Sequence, residues 1–255
     1  MKTTYKNIKV TIHNNVAVLS FNRPEQLNAM NRDMMNEIID GINIINEDDS
    51  VFVAIIRGEG RAFMAGADIK EYGGQTPEQF KSFQDCGIQL YKSIEKATKP
   101  WIAAVNGFAL GGGFEIALSC DMILASENAK MGLPEVFLSL VPGGGGTQRL
   151  IQKIGLNRAK EMLFFGNQYE ADKLYKWGIV NEIYIQNEFD DEVMKFAEKL
   201  ARRSPSAVKE LKRLAQLSLE PVAFEKKLAE EGVAVTNLFY GEEAKEAIQK
   251  FIDKT

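Results

Sequence analysis

Asn106-Gly107-Phe108-Ala109-Leu110-Gly111-Gly112-Gly113-Phe114-Glu115 is the stretch around which the chain is organised. The apolar run Trp101-Ile102-Ala103-Ala104-Val105 precedes it, and Ile116-Ala117-Leu118 follows. The pattern reads as a buried strand, a glycine turn and a helix carrying a carboxylate near its first turn. Glycines let a backbone approach a ligand with no Cβ in the way. The N–H groups that open a helix lack intrahelical partners and can face an anion or a developing oxyanion. A carboxylate within reach of such donors is a candidate acid/base group, so the stretch reads as half of an active site.

Toward the N-terminus, Ile8 to Ile12 and Val16 to Phe21 read as a hairpin turning through His13-Asn14-Asn15. Pro24 breaks the pattern, and Asn31 caps a helix with apolar positions Met34, Met35, Ile38, Ile39, Ile42 and Ile45 at helical spacing. Val51 to Ile56 suits a buried strand. Gly58 to Gly74 reads as a long loop, and Thr76-Pro77-Glu78-Gln79 opens a helix to about Ala97 with a capping box.

Toward the C-terminus, Asp121 to Ala125 reads as a further strand, and Pro142-Gly143-Gly144-Gly145-Gly146-Thr147 as a second glycine turn. Thr147 is the natural cap of a helix through Ile154, and Asn157 of another from Arg158 to Phe165. Glu170 to Trp177 is a helix stopped by Gly178, and Ile179 to Ile185 is the last strand-like run. From Phe189 onward only helical patterns follow. The fold class is therefore α/β, with a core over residues 1–190 and a helical region over 191–255.

The residue inventory narrows the chemistry. The single histidine, His13, falls in the hairpin turn, and no G-x-S-x-G elbow accompanies it, which leaves no nucleophilic triad. Cys86 and Cys120 read as buried thiols rather than a disulfide framework or a zinc site. Neither a phosphate-binding loop ending in Lys nor a dinucleotide fingerprint occurs. The net charge of −4 gives no global attraction to nucleic acid or anionic lipid. No stretch reaches the roughly 18 apolar residues of a membrane span. A cytoplasmic protein with no metal and no nucleic-acid or membrane partner is expected.

What remains are carboxylates and backbone donors. Glu115 follows the first glycine turn, and Glu135 lies in Gly132-Leu133-Pro134-Glu135. The apolar neighbours Phe114, Ile116 and Ala117 of one, and Leu133, Val136 and Phe137 of the other, predict burial and raised carboxyl pKa values.

Three segments together are more specific than any alone. Phe63-Met64-Ala65-Gly66-Ala67-Asp68-Ile69-Lys70, the opening stretch through Glu115, and Gly132 to Glu135 followed by Pro142 to Leu150 resemble the enoyl-CoA hydratase (crotonase) family. Asn22-Arg23-Pro24 and Phe251-Ile252-Asp253-Lys254 extend the resemblance over nearly the whole chain. It implies a spiral of ββα units forming two roughly perpendicular sheets, with C-terminal helices that assemble a homo-trimer or a dimer of trimers.

The resemblance also implies hydration of a trans-2-enoyl-CoA to a 3-hydroxyacyl-CoA, of short chain, in fatty-acid β-oxidation or a related pathway. Coenzyme A then enters with the acyl-CoA substrate, and no separate cofactor is needed. By motif, the amides of Ala67 and Gly112 form an oxyanion hole, Glu115 activates water and Glu135 delivers a proton to C2. Ala65, Gly66, Asp68 and Ile69 line the adenine and pantetheine path with Lys70 nearby, and Gly111 belongs to the same substrate-binding set. Gln26 and Leu27 match a backbone contact region, Leu133 flanks the site, and Phe251 and Lys254 match C-terminal positions near a neighbouring subunit's nucleotide. Leu133, Met64 and Phe114 depart from common residues of the family, and Leu133 and Phe114 are expected to reshape the water site or acyl pocket. Alternatives are a double-bond isomerase, a thioester hydrolase, a specialised dehydratase, or a non-catalytic CoA- or RNA-binding oligomer.

Overall fold

A strand buried on both faces needs apolar residues at consecutive positions, one set for each face. Val16 to Phe21 and Trp101 to Val105 meet that demand, and both are central in the computed structural model, which describes residues 5–253. The chain opens with β1 (Ile8–His13), β2 (Val16–Phe21), α1 (Arg32–Glu47) and β3 (Val53–Gly58). Then come β4 (Ala62–Met64), α2 (Ile69–Tyr72), α3 (Pro77–Lys96), β5 (Trp101–Val105), β6 (Phe108–Leu110) and α4 (Gly112–Ser119). β7 (Met122–Ser126), β8 (Lys130–Gly132), α5 (Gly146–Phe165), β9 (Tyr169–Glu170), α6 (Ala171–Lys176) and β10 (Glu182–Tyr184) follow. Four helices close the order: α7 (Phe189–Ala201), α8 (Pro205–Leu217), α9 (Phe224–Phe239) and α10 (Glu242–Ile252).

The strands form two sheets, one ordered β1-β2-β3-β5-β7-β10 and one ordered β4-β6-β8-β9. Successive strand pairs, β3 and β4, β5 and β6, β7 and β8, each give one strand to each sheet before a helix returns the chain. That repeated step is the ββα spiral. Apart from the β1–β2 and β8–β9 pairs, neighbouring strands run parallel.

The large sheet buries both faces. Leu19, Phe21, Ile56, Trp101 and Ala103 pack with Met34, Ile38, Ile42, Leu90 and Ile94 of α1 and α3. The alternate residues Val16, Val53, Ile55, Ile102 and Leu124 pack with Phe189, Val193 and Ala197 of α7. The helix from Phe189 thus completes the core rather than standing apart from it.

Several local readings are corrected. The long loop of residues 58–74 contains β4 and α2, and β6 lies inside the glycine stretch. Strands of three residues are too short to show alternation. Asn31 caps α1, and Thr76 with Gln79 forms the capping box of α3, as expected. Thr147, however, caps nothing. The helix begins at Gly146 behind Gly145, and continues to Phe165 across a kink at Gly155. Among the described residues, no helix is long and apolar enough to cross a membrane.

Candidate active site

Parallel strands place their C-terminal ends at one edge, where side chains from different segments can converge. β6 pairs in parallel with both β4 and β8. Ala65 to Ala67, Gly111 to Gly112, and Leu133 to Glu135 therefore leave the small sheet at the same edge. Their approach is close: a Cβ on Gly111 would lie 3.9 Å from the Gly66 Cα and 3.1 Å from Glu135 Oε1. Gly111 also holds φ +51°, where a side chain would be strained as well as crowded.

Two backbone donors are left over by this geometry. Met30 bridges Ala67 in parallel, its N–H donating to the Gly66 carbonyl and its carbonyl accepting from the Asp68 N–H, both at 2.8 Å. That register turns the N–H of Ala67 itself away from the pairing. Gly112 is the first residue of α4, where N–H groups have no helical acceptor. Both residues line a cavity of about 150 Å³ together with Glu115, Glu135, Ala65, Gly66, Ile69 and Gly111.

Glu115 sits in the first turn of α4 and is 3% exposed. Its Oε1 accepts the N–H groups of Gly144 and Gly146, each at 2.8 Å. The Gly146 N–H opens α5, so Glu115 supplies the cap that Thr147 was expected to give. Burial pushes the Glu115 carboxyl above its ordinary pKa, while these amides, the Arg149 charge and the nearby Tyr91 hydroxyl pull it back. Arg149 also fixes the loop, donating to the Gly144 carbonyl at 2.5 Å and pairing with Glu95 at 2.6 Å.

Glu135 has different surroundings. It lies on a short 3-10 turn, Pro134–Leu138, ended by Ser139 at φ 57°. Its Oε2 is buried with no hydrogen-bond partner among the described residues. Burial pushes its carboxyl up to about 7, and the neighbouring Glu115 charge adds to the shift. The arrangement offers one carboxylate anchored by amides and one carboxyl that can carry a proton near neutral pH, a division that suits paired acid/base chemistry. Of the apolar neighbours from which burial of Glu135 was expected, Leu133 is buried but Val136 is 42% and Phe137 70% exposed, and Glu135 itself is half-buried.

The remaining predicted residues are dispersed. Gln26, Asp68 and Lys70 line a separate polar cleft with Arg23 and Arg32, and Arg23 pairs with Asp68 at 3.0 Å. Leu27 takes part through its backbone, its carbonyl accepting the Ala65 N–H at 3.0 Å. Leu133 and Phe114 are buried and line no part of the cavity, so their expected reshaping of it is not direct. Phe251 lies on α10 and is 74% exposed, outside the cavity lining, and Lys254 falls outside the described residues.

The sequence reading missed Tyr91, Gly144, Gly146 and Arg149 as parts of the site. Gly144 and Gly146 belong to a motif already singled out, but nothing local says that their N–H groups meet Glu115. Tyr91 gave no signal beyond that of a core aromatic.

The chain matches the enoyl-CoA hydratase/isomerase family over residues 11–255. It is 38% identical to the short-chain-enoyl-CoA hydratase of Clostridium acetobutylicum, covering 97% of this chain and 95% of that one. It is 37% identical to the crotonyl-CoA hydratase of Syntrophomonas wolfei, covering 98% and 96% respectively. The crystal structure of an enoyl-CoA hydratase from Bacillus anthracis superposes with a TM-score of 0.94 at 34% identity, covering 98% of this chain and 97% of that one.

Proposed function

The chain belongs to the enoyl-CoA hydratase/isomerase family, and from that premise we propose that it adds water across the double bond of a short trans-2-enoyl-CoA. The observation that carries the reading is the meeting of two unlike carboxylates and two spare backbone donors in one cavity. The thioester oxygen accepts the N–H groups of Ala67 and Gly112, which polarises the enoyl system and leaves C3 open to attack. Water held by Glu115 adds at C3, and charge moves onto the thioester oxygen as an enolate-like state forms. Glu135, protonated near neutral pH, delivers its proton to C2. The proton released by the water passes to the carboxylates, so the balance is one water added and no redox change. An oxyanion-hole donor of this kind contributes about 3–4 kcal/mol to the transition state.

Supporting a short acyl group are the modest cavity and the relatives named for short-chain and crotonyl substrates. The polar cleft lined by Gln26, Asp68 and Lys70 also holds Lys6, Arg23 and Arg32 beside Glu25, Asp33 and Glu71, and we assign the charged end of coenzyme A to its basic residues. Assembly as a trimer or a dimer of trimers is supported by large apolar residues exposed on α9, including Phe224, Val233, Val235 and Phe239. The decisive experiment adds crotonyl-CoA and longer enoyl-CoA esters and follows loss of the conjugated thioester absorbance. No turnover on any chain length would exclude the hydratase reading.

A further inference from the structure

A buried tyrosine needs a reason for its hydroxyl, because a phenylalanine would supply the same hydrocarbon. Tyr91 is 3% exposed, on the face of α3 that also brings Phe83 and Gly87 to the cavity wall. Its hydroxyl end is located by two glycines. A Cβ on Gly112 would lie 3.1 Å from the Tyr91 hydroxyl oxygen. One on Gly144 would lie 1.9 Å from Tyr91 Cε2 and 2.7 Å from Glu115 Oε2. The phenol tip thus stands between the Gly112 donor and the carboxylate. The hydroxyl end of the Tyr91 ring and Glu115 Oε2 thus converge on the same side of Gly144, and of the two only the phenol has a proton to donate, because an ionised carboxylate only accepts.

Two amides hold Oε1 of Glu115, but two bonds to one oxygen leave the carboxylate plane free to twist about it. The direction of Oε2, the oxygen left for water, needs a third contact. Resting on the hydratase reading, we propose that Tyr91 is a positioning residue: its hydroxyl donates to the Glu115 carboxylate and fixes the plane in which that carboxylate orients the attacking water.

The charged and titratable groups facing Glu115 are few. α3 contributes Tyr91, the loop opening α5 contributes the Gly144 and Gly146 amides and Arg149, and the 3-10 turn contributes Glu135. Arg149 is already paired with Glu95 at 2.6 and 3.0 Å. Apart from the reacting Glu135, Tyr91 is therefore the one neutral side-chain donor among these groups. Burial and the Glu115 charge hold its phenol well above the usual range, so it keeps its proton while Glu115 is ionised.

The test is Tyr91→Phe. Loss of a hydrogen bond to a charged group predicts a fall in kcat of about tenfold, with KM for crotonyl-CoA changing less than about twofold. Removing a donor to the ionised form raises the Glu115 pKa, so the acid limb of the kcat–pH profile moves to higher pH. A second measurement does not need that variant to fold, or the protein to be a hydratase. With tyrosine labelled at Cζ, one of the seven tyrosine carbon resonances should titrate with Glu115 in the wild type and lose that response in Glu115→Gln. Tyr91→Phe with unchanged kcat and acid limb overturns the proposal. So does a wild-type spectrum in which no tyrosine responds to Glu115. A clear resonance response in a protein inactive on every enoyl-CoA supports the Tyr91–Glu115 coupling while removing the hydratase reading.

Discussion

Glu115 and Glu135 face one cavity with opposite hydrogen-bond surroundings. One oxygen of Glu115 is held by two amides at 2.8 Å, whereas Glu135 Oε2 is buried without a partner. The difference comes from their supports. Glu115, carried on α4, points its carboxylate at the N-terminus of α5, whose first N–H groups need an acceptor, and Glu135 lies on a short turn that offers none to that oxygen. Two carboxyls of the same chemistry are thereby given different hydrogen-bond support for the ionised form.

Removing either acid function should damage turnover more than binding. Glu115→Gln and Glu135→Gln are each expected to lower kcat for crotonyl-CoA hydration by about 10²–10⁴-fold, the usual share of a positioned acid or base. Steady-state rates with KM measured in parallel check this. A near-normal kcat in either variant would refute the role assigned to that glutamate.

The rate should depend on pH on both sides of neutrality. Glu135 must be protonated to deliver its proton, and burial with the Glu115 charge places its carboxyl at about 7, so hydration falls as pH rises through that value. Glu115 must be ionised, and its pKa is raised above the ordinary range, so the rate also falls on the acid side. A kcat–pH profile with a single acid limb and no loss above neutrality would contradict this assignment.

The same carboxyl should make the fold less stable at high pH. Glu135 binds its proton more tightly folded than unfolded, so between the ordinary carboxyl pKa and about 7 the folded state holds more protons. Stability therefore falls as pH rises through that window. Glu135→Gln carries no charge and should melt above the wild type at pH 8, with the difference shrinking toward pH 4. Thermal melts across that range provide the check.

The loop that anchors Glu115 leaves no room for a side chain. A Cβ on Gly144 would collide with the Tyr91 ring at 1.9 Å and crowd Glu115 Oε2 at 2.7 Å. Gly144→Ala should therefore cost about 1–3 kcal/mol of stability through overpacking, and should lower kcat by displacing the carboxylate. Denaturant titration and crotonyl-CoA kinetics measure both. An alanine variant with wild-type stability and rate would show that the loop is not held as described.

The long elements and the principal carboxylates were legible, and the short elements and the contacts between loops were not. Val16 to Phe21 declared a strand by its length of apolar run, and Thr76 with Gln79 declared a helix start by a local hydrogen-bond pattern. β4, β6 and β8 have three residues each, too few for any periodicity, yet they bring Ala67, Gly112 and Glu135 together. Glu115 stood out as a carboxylate among apolar residues. Its partners at Gly144 and Gly146 are 29 and 31 positions away and donate through backbone, which no side-chain pattern marks. Val136 and Phe137 misled for the opposite reason, because apolar residues next to a site can face solvent.

Lys212 ties the C-terminal helices to the core, and its loss should be felt as stability rather than chemistry. Its side chain, 7% exposed, crosses from α8 to Asp121 at 2.8 Å and to the carbonyls of Lys99 and Ile94 at 3.0 and 3.3 Å. Asp121 in turn accepts the Trp101 N–H at 2.7 Å, next to the strand that leads into the glycine stretch. Lys212→Ala would leave a partly buried carboxylate and two carbonyls short of a donor. Breaking such a pair costs about 3–5 kcal/mol, and the low end applies because Asp121 keeps the Trp101 donor and some exposure to water. Lys212→Met with Asp121→Asn should lose less than the two single changes combined, since the double variant strands no charge. Denaturant midpoints for the four proteins test the coupling. Simple additivity would mean that the Lys212–Asp121 pair does not help to hold α8 to the core.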